Sequence, residues 1–354
     1  MKINLNSIDT ANFITKAVSV AGEDCTLVIP QHIGCEWAAD NLHLRSSIWN
    51  SEGELISAGF PKFGNLGENP AVFGLPESIA GADILEKMDG SLLIVSWYNG
   101  QLIVRTRGTV DATELENGHE IAELKALYPN VFAHKSSKVS YLYEWLSPTN
   151  RIVIRHDTLA LRLIGAVYHD NYSLASQDAL DVLADSLGVE RPKRFAYSDL
   201  QALTDDVKQF VNSEGVVLYT VDGKIYKVKG EDYLIRHKLK SSLRSIKSIV
   251  DYWYKNNRLD KNEMMSLIEK DIDWETAQDA ADDVYAVLQA SHKVDALIKN
   301  AKTFATYCKG MQRRNAALAI TRRFGKDAGL VFTQLDGKEI CEEVHKKLLL
   351  RLIT

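Results

Sequence analysis

Turn signals set between apolar runs constrain this fold more than any other feature of the chain. Asn99-Gly100 separates residues 92–98 from 101–107, and Asp222-Gly223 separates 215–221 from 224–229. Asn, Asp and Gly tolerate the positive φ that tight hairpin turns require, so each pair predicts an antiparallel hairpin. Ser147-Pro148-Thr149-Asn150, between 141–146 and 151–155, predicts a third, and 161–169 reads as a further strand. Ser173 is placed to cap a helix over 174–187 closed by Gly188, and a second helix is expected over 199–211.

Beyond residue 240 the period changes from 2 to 3.6. Ile246/Ile249/Val250/Trp253 and Val284/Val287/Leu288, continuing to Val294/Leu297/Ile298, are helical stripes. Phe304, Tyr307, Met311, Leu318 and Ile320 are expected to line a third helix. Gly325 and Gly337-Lys338 break the pattern before a last helix ending in Leu348-Leu349-Leu350. The expected fold is therefore α+β: antiparallel sheets with flanking helices over 1–240, then an all-α domain over 241–354. The switch carries no Pro/Gly linker, so the two parts are expected to pack directly.

A chain of 354 residues can bury a core in each part, and 45% apolar with 25% charged residues is ordinary for a soluble protein. No apolar run reaches a membrane span, and the first six residues lack a signal-peptide pattern. Cys25, Cys35, Cys308 and Cys341 form no Cys-x-x-Cys pair, which fits reduced thiols. A cytoplasmic monomer without a membrane partner is expected.

The net charge of -5 speaks against nucleic acid as a partner, but its distribution speaks for it. Residues 224–258 hold ten Lys/Arg against three acids, and 299–326 hold eight Lys/Arg and no acid. Between them, 260–283 hold nine acids and two lysines. Such segregation can build a basic face on an acidic protein; the plainer reading is a set of solvated helix faces. Arg313, Arg314, Arg322 and Arg323, with Lys299, Lys302, Lys309 and Lys326, form the candidate RNA contact.

Chemistry concentrates in six elements that occur in order: Lys87-x-Asp89-Gly90, Arg105-Thr106-Arg107-Gly108, Tyr143-Glu144-Trp145, Val167-Tyr168, Glu214-Gly215-Val216-Val217 and Lys227-Val228-Lys229. Alone, Lys-x-Asp-Gly describes many ordinary turns. A lysine that attacks a phosphoanhydride must lose its proton, and Lys227, Lys229 and a metal ion would supply the cations that help it do so. Gly90 would let backbone approach a ligand. Glu144 and Glu214 lie on separate hairpins and could converge on a sugar hydroxyl and a metal. Lys227 and Lys229 share one face of a strand, where two ammonium groups repel unless an anion lies between them.

This set resembles motifs I, Ia, III, IIIa, IV and V of the covalent nucleotidyltransferases, the ATP-dependent DNA and RNA ligases and mRNA capping enzymes, whose ATP-grasp-like domain it implies for 1–240. The run Tyr141-Leu142-Tyr143-Glu144-Trp145-Leu146-Ser147-Pro148-Thr149-Asn150-Arg151-Ile152-Val153 and Lys62-Phe63-Gly64-Asn65 are similar to the RNA ligase 1 family of T-even phages. The likeness covers about 40–240; beyond that it rests on helical content and length. It implies Lys87 as the nucleophile that takes AMP, Arg45 and Lys62 on the pyrophosphate of ATP with Phe63 beside them, and Glu144 on the ribose. Glu214 would hold the metal or orient the lysine, and Lys227 and Lys229 would hold phosphates. Arg107-Gly108 best matches motif Ia, with Arg105 two residues away. Tyr168 is the candidate for stacking on adenine, with Val167 behind it. Met88 is expected to point away.

The implied activity joins a 5′-phosphate to a 3′-hydroxyl of RNA, with ATP and Mg²⁺ or Mn²⁺, through a lysyl-AMP and an adenylylated RNA end. A nicked tRNA anticodon loop is one such substrate. The alternatives are a DNA ligase or capping-type enzyme, which would need a five-stranded OB domain after the last motif, and a non-catalytic RNA-binding protein on a ligase scaffold.

Overall fold

The computed structural model describes residues 1–31, 35–243, 245–271 and 274–353. Arg244 of the basic stretch and Asp273 of the acidic one lie outside the described residues. Two compact units result, Met1–Leu234 and Ile235–Thr354.

The first unit holds three sheets. Phe13–Val20, Glu23–Pro30, Ser47–Asn50 and Leu55–Ala58 form an antiparallel meander. A second antiparallel sheet runs Ala160–Tyr168, Val139–Leu146, Ser91–Tyr98, Gln101–Arg105. The third runs Arg194–Phe195, Asp83–Glu86, Gly215–Tyr219, Ile225–Lys229, with the short strand Gly64–Asn65 added in parallel.

Both faces of the second sheet are covered. Leu93, Val95, Tyr143 and Trp145 pack on helices that include Glu120–Leu127 and Gln177–Leu187, while Ile94, Leu142 and Val167 meet Val28 and Trp49 of the first sheet. That is why 92–95 reads as a continuous apolar run rather than an alternation.

The hairpin at Asn99-Gly100 forms as expected: Tyr98 faces Gln101, and both turn residues have positive φ, 48° and 78°. The hairpin around Asp222-Gly223 forms with shorter arms. Tyr219 pairs with Ile225, and the Thr220 hydroxyl accepts from the Lys224 amide to close a wider loop.

Two local expectations fail for tertiary reasons. Residues 151–155 form a loop, not a strand, because the partner of Val139–Leu146 is Ala160–Tyr168. The helix cap is Ser176, not Ser173, because the backbone of 173–175 bonds the strand end at Ala166 and Tyr168 instead. The helix expected over 199–211 forms as Leu200–Lys208, with Asp199 as its cap.

Among its described residues, every regular element of the second unit beyond Ser242 is a helix: Ile246–Lys255, Lys261–Asp271, Trp274–Cys308, Arg313–Phe324, Ala328–Leu335 and Glu342–Ile353. Ile249, Trp253, Ile268, Val284, Val294, Ile320, Val331 and Leu349 make its core. The expected third helix is two. Phe304 and Tyr307 end the long helix, while Leu318 and Ile320 lie on the next, and Tyr307 and Leu318 are exposed. No described helix is long and apolar enough to cross a membrane.

Candidate active site

The chain crosses from the third sheet to the second between Asp83–Glu86 and Ser91–Tyr98, and Lys87 sits on that crossing. Register brings its partners. Glu86 pairs with Val216, and the Lys87 amide donates to the Gly215 carbonyl at 2.9 Å. Gly215 pairs in turn with Lys229. Glu214, next to Gly215, is thereby held between two lysines: its Oε2 lies 2.8 Å from Lys87 Nζ and its Oε1 2.8 Å from Lys229 Nζ. The carboxylate is 4% exposed, so these bonds are shielded from solvent.

Glu144 lies in the middle of the second sheet, opposite Leu92 and Arg162, and its Oε1 accepts from the Gly90 amide at 2.9 Å. Dense surroundings push its pKa up to about 7. The largest cause is burial, offset by the positive charge of Lys87 and reinforced by the negative charge of Glu214.

The parallel contact of Gly64–Asn65 with Tyr226 and Lys227 lays Lys62-Phe63 beside the last strand. The Phe63 ring takes Lys227 Nζ at 4.9 Å and the Arg45 guanidinium at 5.6 Å from its centroid. Lys62 reaches Glu68 at 3.4 Å. Lys227 is the amine whose proton is destabilised. Burial first, then the charges of Arg45, Lys62, Lys87 and Lys229, bring its pKa down to about 7. Lys87 is held by Glu214, and the crowding falls on Lys227. Burial likewise lowers Arg45 to about 10.

A cavity of about 220 Å³ opens here, lined by Arg45, Phe63, Lys87, Gly90 and Glu144 on its polar side and by Leu85, Leu92, Ile164, Val217 and Tyr219 on its apolar side. A larger hollow of about 620 Å³, beside Lys16, Gln101 and Asp111, holds Gly108 but none of the candidate charged residues, so chemistry rather than size singles out the smaller one. Among the described residues no group of three or more His, Cys, Asp or Glu could hold a metal ion by itself.

Several placements differ from expectation. Tyr168 lies at the end of its strand, 42% exposed, and does not line the cavity; Val167 is buried in the core. Met88 lines the cavity and is not on a strand. A Cβ on Gly90 would lie 2.6 Å from the Trp145 carbonyl, so this glycine serves close packing on the Glu144 strand as well as the cavity wall. Arg105 is fully buried and faces no cavity, whereas Arg107 is exposed. The four candidate arginines of the second unit, 313, 314, 322 and 323, are exposed on one helix.

Sequence reasoning left Asp89 without a task. Its Oδ2 accepts from the amides of Val153 and Ile154 at 2.8 and 2.6 Å, and its Oδ1 accepts from the Tyr233 hydroxyl at 2.8 Å. Glu120 holds the same loop from its other side, accepting from Trp145 Nε1 at 2.9 Å, Ser147 Oγ at 2.7 Å and the Thr149 hydroxyl. The loop after Glu144 is thus built by two buried carboxylates.

With this geometry in view, comparison with known proteins is informative. A profile of the RNA ligase family matches residues 44–243, more than half of the chain, and the chain belongs to that family. Among solved structures it resembles an archaeal ATP-dependent RNA ligase in one form at 14% identity, covering 80% of this chain and 76% of that one with a TM-score of 0.45. A second form matches at 14% identity over 92% and 93% with a TM-score of 0.42. The RNA ligase of Naegleria gruberi with PPi matches at 16% identity over 45% and 53%, with a TM-score of 0.36.

Proposed function

We propose that the chain is an ATP-dependent RNA ligase working through a lysyl-AMP intermediate, with residues 1–240 as the adenylyltransferase and 241–354 as an RNA-binding part. The observation that carries this reading is Lys87, which lines the cavity with Arg45 and pairs with Glu214 through its Nζ, in a cluster of cations in which Arg45, Lys62, Lys87 and Lys229 act on Lys227.

In the first step Lys87 Nζ bonds to the α-phosphorus of ATP as the α–β anhydride bond breaks and pyrophosphate leaves. The ammonium proton of Lys87 must go first, and the Glu214 carboxylate at 2.8 Å is the base within reach. Arg45, Lys62, Lys227 and Arg107 neutralise the triphosphate. Glu144 accepts from a ribose hydroxyl. The adenine lies against Ile164, Val217 and Tyr219, in place of the earlier candidate Tyr168. AMP then passes to an RNA 5′-phosphate, and a 3′-hydroxyl displaces it.

Glu214 is the carboxylate placed to hold a divalent ion. Once its lysines turn to phosphate, Glu214 would hold an Mg²⁺ or Mn²⁺ with nucleotide oxygens and water as the other ligands. Bound there, the ion would neutralise phosphate charge.

RNA rather than duplex DNA is the favoured substrate. The second unit, helical among its described residues, lacks the strands of an OB domain there. Among the described residues none of Lys299, Lys302, Lys309, Arg313, Arg314, Arg322, Arg323 and Lys326 has an acid partner, which suits a phosphate surface. A nicked tRNA in the cytoplasm, sealed by a monomer, is the finer reading.

The test uses ATP labelled on its α-phosphate. A covalent adduct should form, should be lost in Lys87→Ala, and should be consumed on adding 5′-phosphorylated RNA with a 3′-hydroxyl acceptor. Absence of any adduct, or an adduct that persists in Lys87→Ala, sinks the mechanism. Joining of nicked DNA with none of RNA sinks the substrate.

A further inference from the structure

Arg105 is a charged residue with no carboxylate. It is 0% exposed, yet its four hydrogen bonds go to neutral groups: Nε to Ser57 Oγ at 2.8 Å, Nη1 to Ser46 Oγ at 2.8 Å and to the Thr106 carbonyl at 3.0 Å, and Nη2 to the Ser46 carbonyl at 3.2 Å. A buried cation without a counter-ion is costly to the fold, so its presence asks for a reason other than stability.

What solvates the charge is a file of hydroxyls. Ser57 Oγ lies 2.9 Å from Ser96 Oγ, Ser96 Oγ 2.8 Å from Ser140 Oγ, and Ser140 Oγ 2.8 Å from His169 Nε2. All three serines are 0% exposed and His169 is 4% exposed. Ser57 accepts from Arg105, and Ser140 also accepts from the Ala58 amide at 2.8 Å. A neutral imidazole ends the row. Hydroxyl and carbonyl dipoles around the guanidinium take the place of a carboxylate.

The guanidinium in turn fixes Ser46. That residue follows Arg45, and its hydroxyl donates to the Arg107 carbonyl at 3.0 Å. One buried group therefore grips the backbone carrying Arg45 and, through one hydroxyl, the backbone at Arg107.

We propose that Arg105 is a positioning residue that sets Arg45 and Arg107 for the β- and γ-phosphates of the nucleotide. The inference rests on the reading above, in which those two arginines meet the pyrophosphate portion of ATP. It predicts a split between two probes. Pyrophosphate binding should depend on Arg105, while AMP binding, which uses Glu144 and the apolar wall, should not.

The experiment measures pyrophosphate and AMP affinity by calorimetry in wild type, Arg105→Met, Arg105→Lys, Ser46→Ala, Arg45→Ala and Arg107→Ala, alongside thermal unfolding. Arg105→Met should weaken pyrophosphate about tenfold with AMP affinity within about twofold, as loss of one charge-assisted contact implies. Arg105→Lys should recover part of the loss. Ser46→Ala, which removes only the bridging hydroxyl, should weaken pyrophosphate in the same direction and keeps the test open if Arg105→Met does not fold. Equal loss of both ligands, or unchanged pyrophosphate affinity in Arg105→Met and Ser46→Ala while Arg45→Ala and Arg107→Ala lose it, overturns the positioning role. If Arg45→Ala and Arg107→Ala also leave pyrophosphate untouched, the phosphate reading of those arginines falls first and the inference with it.

Discussion

Glu214 Oε2 stands 2.8 Å from Lys87 Nζ while its other oxygen stands 2.8 Å from Lys229 Nζ, so one buried carboxylate spans the amine proposed to attack and an amine proposed to bind phosphate. The amine cannot attack while it holds this proton, and Glu214 is where the proton can go. Glu214→Gln keeps the shape and removes the base. Single-turnover adenylylation should slow by about 100-fold or more, the usual scale for loss of a positioned base. Nucleotide binding should change far less. A rate within about threefold of wild type would show that Glu214 only supports the strand.

Two groups at the cavity give stability a pH dependence of opposite sign. Glu144 is raised in the folded protein, so its contribution is present at low pH and is lost as pH rises from the ordinary carboxylate range through about 7. Lys227 is depressed to about 7, so the unfolded chain binds the extra proton between about pH 7 and its ordinary value near 10.5, and stability recovers as pH rises across that window. The ligand-free protein should therefore show a dip in urea stability near pH 7. Lys227→Met should remove the rise above the dip, and Glu144→Gln the fall below it. Pyrophosphate binding at pH 8 should take up a proton, read by calorimetry in buffers of different ionisation heat, and Lys227→Met should abolish that uptake.

How much of this was readable beforehand can be judged from particular residues. Asn99-Gly100 and Asp222-Gly223 were legible because a turn is decided within a few residues. Glu214, Lys227 and Lys229 converge through the register of one hairpin, which is encoded locally, whereas Lys87 and Glu144 join them through long-range pairings, Glu86 with Val216 and Leu92 with Glu144. The loop 151–155 was not legible. Ile152 and Val153 look like strand, but the amides of 153 and 154 are claimed by Asp89, 64 and 65 positions earlier in the chain. The burial of Arg105 was not read from the sequence either, although a signal existed. An arginine in a strand beside Ile103 and Val104, and lone serines at 57, 96 and 140 inside apolar strands, are the marks of a buried polar file.

Glycines 90 and 215 should differ in what they tolerate. A Cβ at Gly90 meets the Trp145 carbonyl at 2.6 Å with φ unstrained, so Gly90→Ala should cost about 1–3 kcal/mol of stability. Gly215 has φ +132°, and a Cβ there would lie 2.0 Å from the Val228 carbonyl, between two backbones that cannot part without breaking the ladder. Gly215→Ala adds strain to overlap and should cost about 3 kcal/mol or more. Urea unfolding of the pair checks the order; a smaller loss at Gly215 than at Gly90 would contradict it.

Residues 299–326 carry the remaining expectation, that the second unit meets RNA by charge. Arg313, Arg314, Arg322 and Arg323 are exposed and, among the described residues, have no acid partner; Arg323 also lies 4.8 Å over the Phe304 ring, whose neighbour Tyr307 is exposed. A surface of free cations beside an open aromatic ring suits single-stranded RNA, which offers phosphates and stackable bases. Converting all four arginines to glutamine should weaken RNA binding at low salt by more than about tenfold. It should also flatten the salt dependence by as much as about 3 in log–log slope, at about 0.7 per lost phosphate contact. Adenylylation of Lys87 should be unchanged, because the Lys87–Glu214 cavity is built from residues of the first unit. Unchanged affinity and slope would make this face a solvated one, and a parallel loss of adenylylation would mean that the substitutions had damaged the fold.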